Sequence, residues 1–344
     1  MEEKMTKPKV SQEDVKEILH SHYDIKPLEI VELNAYDDRN YWIKRSVDGD
    51  SDCVLKVTNN IDSKCLDMIK AQTNLLKYVS ERGFKCPEPL PTAEGELFFT
   101  RKFHGTTHVV RLFKFVNGIV LDKAPKLNEL YFNVGREIGR LNESMQNFDD
   151  TATYKKHSHK WMLEKCGTIR DVIDVIENSK RKLMVEKVLR SFETRVLSKR
   201  SDFRQGLIHG DFNENNIIVQ KINNEQYKLE GVIDFGDVNY SFAIFDLAIT
   251  ITYMLIHSGQ IETGAFVLAG YKDVRKDLTD AEKSILNICV QARLCQSLVN
   301  GLYAYSQDPG NEYVLSSQKT GWDILEKLYA MDDDKVLRMW DSKN

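Results

Sequence analysis

The sequence lacks the features of a disulfide-bonded or membrane-spanning chain. Its 6 cysteines form no C-x-x-C pair, and none has histidines at the spacing of a zinc site, so we expect free or buried thiols. No run of residues is both long and apolar. The longest, residues 242–256, spans about 15 residues and includes Asp246, which makes it too short and too polar to cross a bilayer. We therefore predict a buried helix in this stretch.

An excess of positive charge is also missing. Lys and Arg together number 48 against 52 for Asp and Glu, which gives a formal net charge of -4. Because nucleic acids and anionic membranes recruit basic surfaces, neither is an expected partner. The amino terminus, MEEKMTKPKVSQEDVKEILH, carries acids and lysines where a secretory signal needs an apolar core, so we expect a cytoplasmic protein.

The composition provides enough apolar material for two domains. The 344 residues are 42% hydrophobic and 29% charged, and a typical size of roughly 150 residues per domain predicts two. In chain order, the hydrophobic patterns predict a helix at 11–22, three strands in 30–57, a helix at 64–82, two strands in 96–116, helices at 126–147 and 180–199, short strands in 206–236, and helices after 241. We therefore predict an α+β fold with domains 1–116 and 117–344.

Polar residues interrupt the second domain at 207–220, LIHGDFNENNIIVQ. Asp211 and Asn216 lie here between two apolar segments, on a short loop. Such residues are also common in ordinary turns. Two further polar residues accompany them: Lys56 is inside the apolar strand CVLKV, and Asp234 follows the strand-like residues 231–233.

Phosphoryl transfer would explain these four residues together, because it requires charge placement more than covalent chemistry. Lys56 would neutralise the phosphates of a nucleotide. Asp234 and Asn216 would supply the oxygen ligands that Mg²⁺ prefers, and Asp211 would be the catalytic base for a hydroxyl acceptor. The spacing D-x-x-x-x-N followed by D-F-G is that of the kinase catalytic loop and metal motif.

The motifs HGDFNENNI and IDFGD resemble those of the aminoglycoside phosphotransferase and choline kinase family. Gly210 follows the histidine where protein kinases have arginine, and the sequence has neither a G-x-G-x-x-G loop nor an A-P-E segment. Within this family the chain resembles the hydroxylysine kinases over nearly its whole length. The motifs that carry this resemblance are YDDRNY at 36–41, VLKV at 54–57, HGDFNENNI at 209–217, the stretch 231–254, CQSL at 295–298 and KTGW at 319–322.

The resemblance implies a protein-kinase-like, two-lobed fold and a cytoplasmic enzyme of lysine degradation. The amino-terminal lobe would be a small antiparallel sheet that binds the nucleotide, and the mostly helical carboxy-terminal lobe would hold the catalytic loop and the metal site. The resemblance also implies GTP, or ATP, as donor with Mg²⁺, and a small amino acid, 5-hydroxy-L-lysine, as acceptor. The backbone of Lys114 to Val116 would contact the nucleobase, and Asn34 and Asn40 would border the phosphates.

The sequence departs from the kinase pattern at two places. Kinases usually pair the strand lysine with a glutamate on the next helix, but the aligned position here is Gln72, so either Lys56 is held less firmly or another acid, such as Asp67, reaches it. The loop 34–40 also contains no glycine. Two alternatives therefore stay open: a kinase for choline, ethanolamine, homoserine or an aminoglycoside, and a nucleotide-binding pseudokinase.

Several other conspicuous residues have structural explanations. We expect His209 to hold the catalytic loop and Asp246 to accept hydrogen bonds from that loop, since a buried carboxylate requires partners. Trp322 and Trp340 are expected in the core. Asp237 fits two roles equally: binding a substrate amine or capping the segment that follows it.

Overall fold

The computed structural model describes residues 5–33, 35, 37–45, 52–223, 226–310, 312–315 and 317–343. Contacts between Cα atoms divide the chain into two compact units. The first contains residues 1–117 together with 231–233, and the second contains residues 118–230 and 234–344.

The first unit is built on an antiparallel sheet. Its helices and strands are α1 (Gln12–Tyr23), β1 (Glu29–Leu33), β2 (Arg39–Lys44), β3 (Cys53–Val57), α2 (Leu66–Glu81), β4 (Pro89–Leu90), β5 (Phe99–Phe103) and β6 (Thr106–Lys114). The order of the described strands is β1-β2-β3-β6-β4, and β5 pairs with the other end of β6. The short strand β4 was not predicted, because its proline-rich sequence is typical of a loop.

Helix α1 begins where the sequence predicts it, at a capping box. The Ser11 side chain accepts a hydrogen bond from the Asp14 backbone amide, and the Asp14 carboxylate accepts one from the Ser11 amide. The buried face of this helix packs into the core of the sheet through Val15, Ile18 and Leu19, all 0% exposed. Local capping and apolar spacing thus agree on the position of this helix.

The second unit is mostly helical. Its elements are β7 (Ile119–Val120), α3 (Asn128–Gln146), α4 (Ala152–Lys156), α5 (Ser179–Arg195), β8 (Gln205–Ile208), β9 (Ile217–Lys221), β11 (Asn239–Phe242), α6 (Ala243–Ser258), α7 (Thr263–Val274), α8 (Asp280–Ser284), α9 (Leu286–Gln307), α10 (Gln318–Ala330) and α11 (Asp333–Trp340). Strand β10 (Tyr227–Val232) begins in this unit and ends in the first. The first unit contains an antiparallel sheet and the second is mostly helical, which confirms the predicted α+β fold.

Helix α6 confirms the interpretation of the apolar tract. Residues Ala243 to Thr252 are all buried, and Asp246 among them is 0% exposed. Within the described part of the chain, no helix has the length and apolar character needed to cross a membrane. The two tryptophans lie in the core as predicted: Trp322 is 4% and Trp340 0% exposed.

Helices α3 and α7 approach each other closely through glycines. A Cβ atom on Gly135 would lie 2.0 Å from the backbone oxygen of Val267, and one on Gly270 would lie 1.9 Å from that of Phe132. The neighbouring Gly139 differs, because its nearest atoms would be at 3.4 Å. Gly135 and Gly139 thus lie in the same helix, but only Gly139 has space for a methyl group.

We expect Gly135→Ala to destabilise the protein by about 1–3 kcal/mol, because the backbone of α7 must move to admit the methyl group. Gly139→Ala should be neutral or stabilising by up to about 1 kcal/mol, since alanine favours the helix and the space exists. Denaturant unfolding of both variants measures the difference. Equal stabilities of the two variants would contradict the close α3–α7 packing.

Candidate active site

Asp246 fixes the start of the catalytic loop, which we define as residues 209–216. Its Oδ2 accepts hydrogen bonds from the His209 amide and from Asn142 Nδ2, both at 2.7 Å, and its Oδ1 accepts one from the Gly210 amide at 2.9 Å. Burial raises the pKa of Asp246, and these donors together with His209 offset only part of the rise. The expected role of Asp246 as a buried acceptor is confirmed.

The ring of His209 packs the catalytic loop against the D-F-G segment. His209 is 0% exposed, and its ring makes edge contacts with Phe212 and Phe235, at centroid distances of 5.6 and 4.8 Å. Phe212 belongs to the loop, and Phe235 follows Asp234. These contacts agree with the structural role expected for the histidine.

Gly210 occupies a position that admits no side chain. Its φ is +78°, and an added Cβ would lie 2.6 Å from the backbone oxygen of Asp237 and 2.7 Å from Asn239 Nδ2. Only glycine adopts this conformation readily. The close contact explains why this chain has glycine where protein kinases have arginine.

Asp211 is held by two other side chains. Its Oδ2 accepts a hydrogen bond from Asn216 Nδ2 at 2.9 Å, and its Oδ1 accepts one from Arg293 Nη2 at 3.1 Å. The same Asn216 amide group donates to the backbone oxygen of Asp211 at 2.9 Å. Each carboxylate oxygen keeps a further lone pair. Asp211 is thus oriented and, at 23% exposure of its side chain, open to an acceptor.

Arg293 of α9 was missed by the sequence analysis. Its side chain is 1% exposed, and Nη1 donates to the Trp161 backbone oxygen and to Gln296 Oε1, each at 2.9 Å. The guanidinium carbon also lies 5.4 Å and 5.3 Å from the ring centres of Trp161 and Tyr253. A charged residue inside an apolar helical run, as in VQARLCQSL, is the signal that would have identified it, because buried charges require partners.

We expect Arg293→Lys to lower kcat on the order of 10-fold, the loss of about one charge-assisted hydrogen bond. Lysine keeps the positive charge, but its ammonium cannot serve three acceptors in a planar fork. Steady-state kinetics measures the effect. Arg200→Lys, at an exposed arginine that pairs with Glu164 at 3.0 Å, is the matched control. If Arg293→Lys kept the wild-type kcat, the hydrogen bond from Arg293 to Asp211 would not be needed for catalysis.

Asp234 has the backbone conformation of a functional turn. It is at φ 60°, ψ 74°, and its Oδ1 accepts a hydrogen bond from the Gly236 amide at 3.3 Å. Left-handed non-glycine residues are uncommon and concentrate at functional sites.

Asp234 and Asn216 form a donor set that fits Mg²⁺. The Asn216 Nδ2 atom donates to Asp211, so Oδ1 is the atom of this amide that can act as a metal ligand. The Asp234 carboxylate would supply the other protein oxygen. Among the described residues, no group of three or more His, Cys, Asp or Glu side chains is arranged for a metal. Mg²⁺ commonly uses one or two protein oxygens and completes its shell with water and phosphate.

In the first unit, the acid that contacts Lys56 is Asp38. Lys56 Nζ lies 2.9 Å from Asp38 Oδ2, and Asp38 Oδ1 accepts from the Asn59 amide at 2.8 Å. Burial alone would raise the pKa of Asp38, but Lys56 and the Asn59 amide outweigh burial and hold it below its ordinary value. The alternative that another acid reaches Lys56 is therefore confirmed, with Asp38 as that acid; Asp67, the example given above, is exposed on α2.

Gln72, which aligns with the kinase glutamate, has a different neighbour. Its Oε1 accepts a hydrogen bond from Arg111 Nη1 at 3.4 Å. Arg111 lies directly opposite Lys56 in the β3–β6 pairing, and Asn40 lies opposite Lys56 in the β2–β3 pairing. Side chains opposite each other on neighbouring strands share a face of the sheet. Asn40, Lys56 and Arg111 therefore form one polar row.

The segment predicted to contact the nucleobase follows β6. The Lys114 amide donates to the Glu88 backbone oxygen at 2.9 Å, and the Phe115 amide donates to the Asp52 oxygen at 3.0 Å. Both amides are therefore bonded within the sheet, and the contact of this segment with a nucleobase stays a prediction. Asn34, the remaining predicted residue, lies outside the described part of the chain.

An oriented aspartate, a loop asparagine and a turn aspartate after a strand are the residues that the sequence predicts for a kinase-like phosphotransferase site. Residues 29–281 match the phosphotransferase enzyme family, and the chain belongs to that family. It is 32% identical to the hydroxylysine kinase of Xenopus laevis over 97% of this chain and 94% of that protein. It is 30% identical to the hydroxylysine kinase of Danio rerio over 99% of this chain and 97% of that protein.

The fold has solved relatives as well. A microcompartment-associated aminopropanol kinase superposes with a TM-score of 0.72 and 19% identity, covering 96% of this chain and 100% of that one. The predicted resemblance to hydroxylysine kinases is confirmed. The protein is a phosphotransferase that acts on an alcohol group, and the pseudokinase alternative is no longer needed.

Proposed function

We propose that the protein transfers the γ-phosphoryl group of a nucleoside triphosphate, GTP in preference to ATP, to the hydroxyl group of 5-hydroxy-L-lysine. The observation that carries the acceptor assignment is the similarity to hydroxylysine kinases over nearly the whole of both chains. The similar region includes the second, helical unit, and acceptor specificity in this fold depends on that unit.

The catalytic loop supports the chemistry. Asp211 orients the acceptor hydroxyl and receives its proton as the phosphoryl group arrives. Arg293 and Asn216 hold the two carboxylate oxygens, so this orientation is set before the acceptor binds. Preorganisation of this kind reduces the reorganisation that the reaction itself requires.

Donor binding is assigned to the first unit and to the metal residues. Lys56, held by Asp38, neutralises phosphate oxygens, and the amide of Val116 meets the base. Asn40 borders the phosphates from the same face of the sheet as Lys56. Asn216 and Asp234 would hold Mg²⁺, which would neutralise charge on the phosphates. The preference for GTP rests on the resemblance to hydroxylysine kinases.

The test is nucleoside diphosphate release by the purified protein with Mg²⁺, GTP or ATP, and a panel of acceptors. We expect release with 5-hydroxy-L-lysine, and none above background with choline, ethanolamine, homoserine or an aminoglycoside. L-Lysine, which lacks the reacting hydroxyl, should be no substrate and at best a weak competitive inhibitor. Efficient use of choline or homoserine without use of 5-hydroxy-L-lysine would refute the acceptor assignment, while leaving the phosphotransferase chemistry intact.

A further inference from the structure

The backbone of Asp237 packs against Gly210, the residue before the catalytic aspartate. The Asp237 backbone oxygen would be only 2.6 Å from a Cβ atom on Gly210. Arg293, which donates to Asp211, also interacts electrostatically with Asp237. The Asp237 side chain is 33% exposed, and a small molecule can therefore reach it.

His159 stands next to this carboxylate. Its ring is largely buried, contacts the Asp237 backbone through a hydrogen bond, and has Nδ1 3.8 Å from Asp237 Oδ1. Burial, together with the charges of His157 and Arg293, lowers the pKa of His159 to about 4, so the ring is neutral near pH 7. The neutral ring therefore contacts both the backbone and the carboxylate of Asp237.

The residues that follow His159 are hydrogen-bonded to α9, the helix that also carries Arg293. Arg293 donates to the Trp161 backbone oxygen, and Gln296 Nε2 donates to the backbone oxygens of Lys160 and Met162 at 3.0 and 3.2 Å. These bonds hold the backbone directly after His159 in one position. The imidazole is therefore placed by α9 and not by local sequence.

The chemistry of the acceptor adds a geometric requirement. In 5-hydroxy-L-lysine the reacting hydroxyl is on C5 and an ammonium group is on C6, so the two groups are on adjacent carbons. A carboxylate that binds this ammonium must then be a close neighbour of the catalytic base. A desolvated ammonium also needs an opposite charge. Asp237 carries that charge, and Arg293 interacts electrostatically with both Asp237 and Asp211.

Resting on the proposed function, we propose that Asp237 binds the ammonium group adjacent to the reacting hydroxyl, with His159 as the residue that positions its carboxylate. The preferred acceptors are accordingly 1,2-amino alcohols. His159 directs a ring N–H toward the carboxylate once the acceptor is bound. This assignment also decides between the two roles that the sequence left equal for Asp237.

The test compares two acceptors in two proteins. The acceptors are 5-hydroxy-L-lysine and 2-amino-5-hydroxyhexanoic acid, which keeps the hydroxyl and lacks the C6 amine. In the wild type, kcat/KM should favour the first acceptor by on the order of 10- to 100-fold, as expected for a charged hydrogen bond. In Asp237→Asn this preference should fall to near unity, through a higher KM for 5-hydroxy-L-lysine. An unchanged preference in Asp237→Asn would overturn the proposal.

The variant His159→Phe separates positioning from simple packing. Phenylalanine keeps a ring of similar size and removes both ring nitrogens, so the packing is kept while the contacts with Asp237 are lost. If His159 positions Asp237, KM for 5-hydroxy-L-lysine rises in this variant while KM for the amine-free analogue does not. Unchanged KM values for both acceptors would show that His159 is only a packing residue.

A failure of the acceptor assignment leaves this inference testable. If 5-hydroxy-L-lysine is not phosphorylated, 1-amino-2-propanol and 2-butanol replace the two acceptors. Calorimetric Kd values then replace kcat/KM wherever turnover is absent. Loss of the preference for the amine in Asp237→Asn would support the inference with either pair, and a preference that survives would refute it.

Discussion

Asp211→Asn should lower kcat by about 10²–10⁴-fold, the range for loss of a positioned general base. The substitution removes the proton-accepting charge but preserves the size of the side chain. It also places an amide where Arg293 and Asn216 both donate, so one of these two donors must face an N–H group. Both consequences act on the acceptor hydroxyl, and nucleotide affinity should stay nearly unchanged.

Steady-state kinetics with saturating donor, together with nucleotide titration, measures this prediction. Asp202→Asn, at an exposed aspartate of the same unit, is the control for the substitution itself. A melting temperature near that of the wild type shows that Asp211→Asn is folded. An Asp211→Asn variant that keeps more than a tenth of the wild-type kcat would remove Asp211 from the role of base.

Asp234→Asn should weaken the binding of Mg²⁺-nucleotide and also lower the rate. We expect kcat/KM for the nucleotide to fall by at least about 10–100-fold, the loss typical of changes around metal ligands. The fold should tolerate the change, because asparagine adopts the left-handed conformation of Asp234 as readily as aspartate. The Mg²⁺ concentration for half-maximal activity should rise.

Titration of Mg²⁺ at fixed nucleotide concentration provides the measurement. Asp24→Asn is a matched control, because Asp24 is also an aspartate in the left-handed region, at φ 52° after α1. It should leave the metal dependence as in the wild type. If Asp234→Asn has that same dependence, Asp234 is not a metal ligand.

The parts of the fold that follow local patterns were predictable. The capped helix α1, the antiparallel strands β1–β3 and the buried helix α6 each have a hydrophobic period or cap that the sequence displays directly. The irregular stretch Leu163–Val175, which forms consecutive 3₁₀ turns, has no such period and was not predicted. Strand β4 was missed for the same reason, since its two residues pair only because β6 provides an edge.

The candidate site divides in the same way. Asp211 and Asn216 are five residues apart and bond within one loop, so their spacing in the sequence carries their geometry. The contact between Asp211 and Arg293 joins residues 82 positions apart, which no local spacing encodes. Asp38 was missed because a single acid before a strand is typical of a turn, and its contact with Lys56 depends on the pairing of β2 with β3.

The most direct test of the proposed function is identification of the reaction product. The protein is incubated with Mg²⁺, GTP and 5-hydroxy-L-lysine, and the amino-acid fraction is analysed by mass spectrometry and by phosphorus NMR coupled to the carbon-bound protons. The proposed function predicts one phosphate ester on the C5 oxygen, formed in equal amount with GDP, and none with Asp211→Asn. GDP formation without a phosphorylated amino acid, or a phosphate bonded to nitrogen, would contradict it.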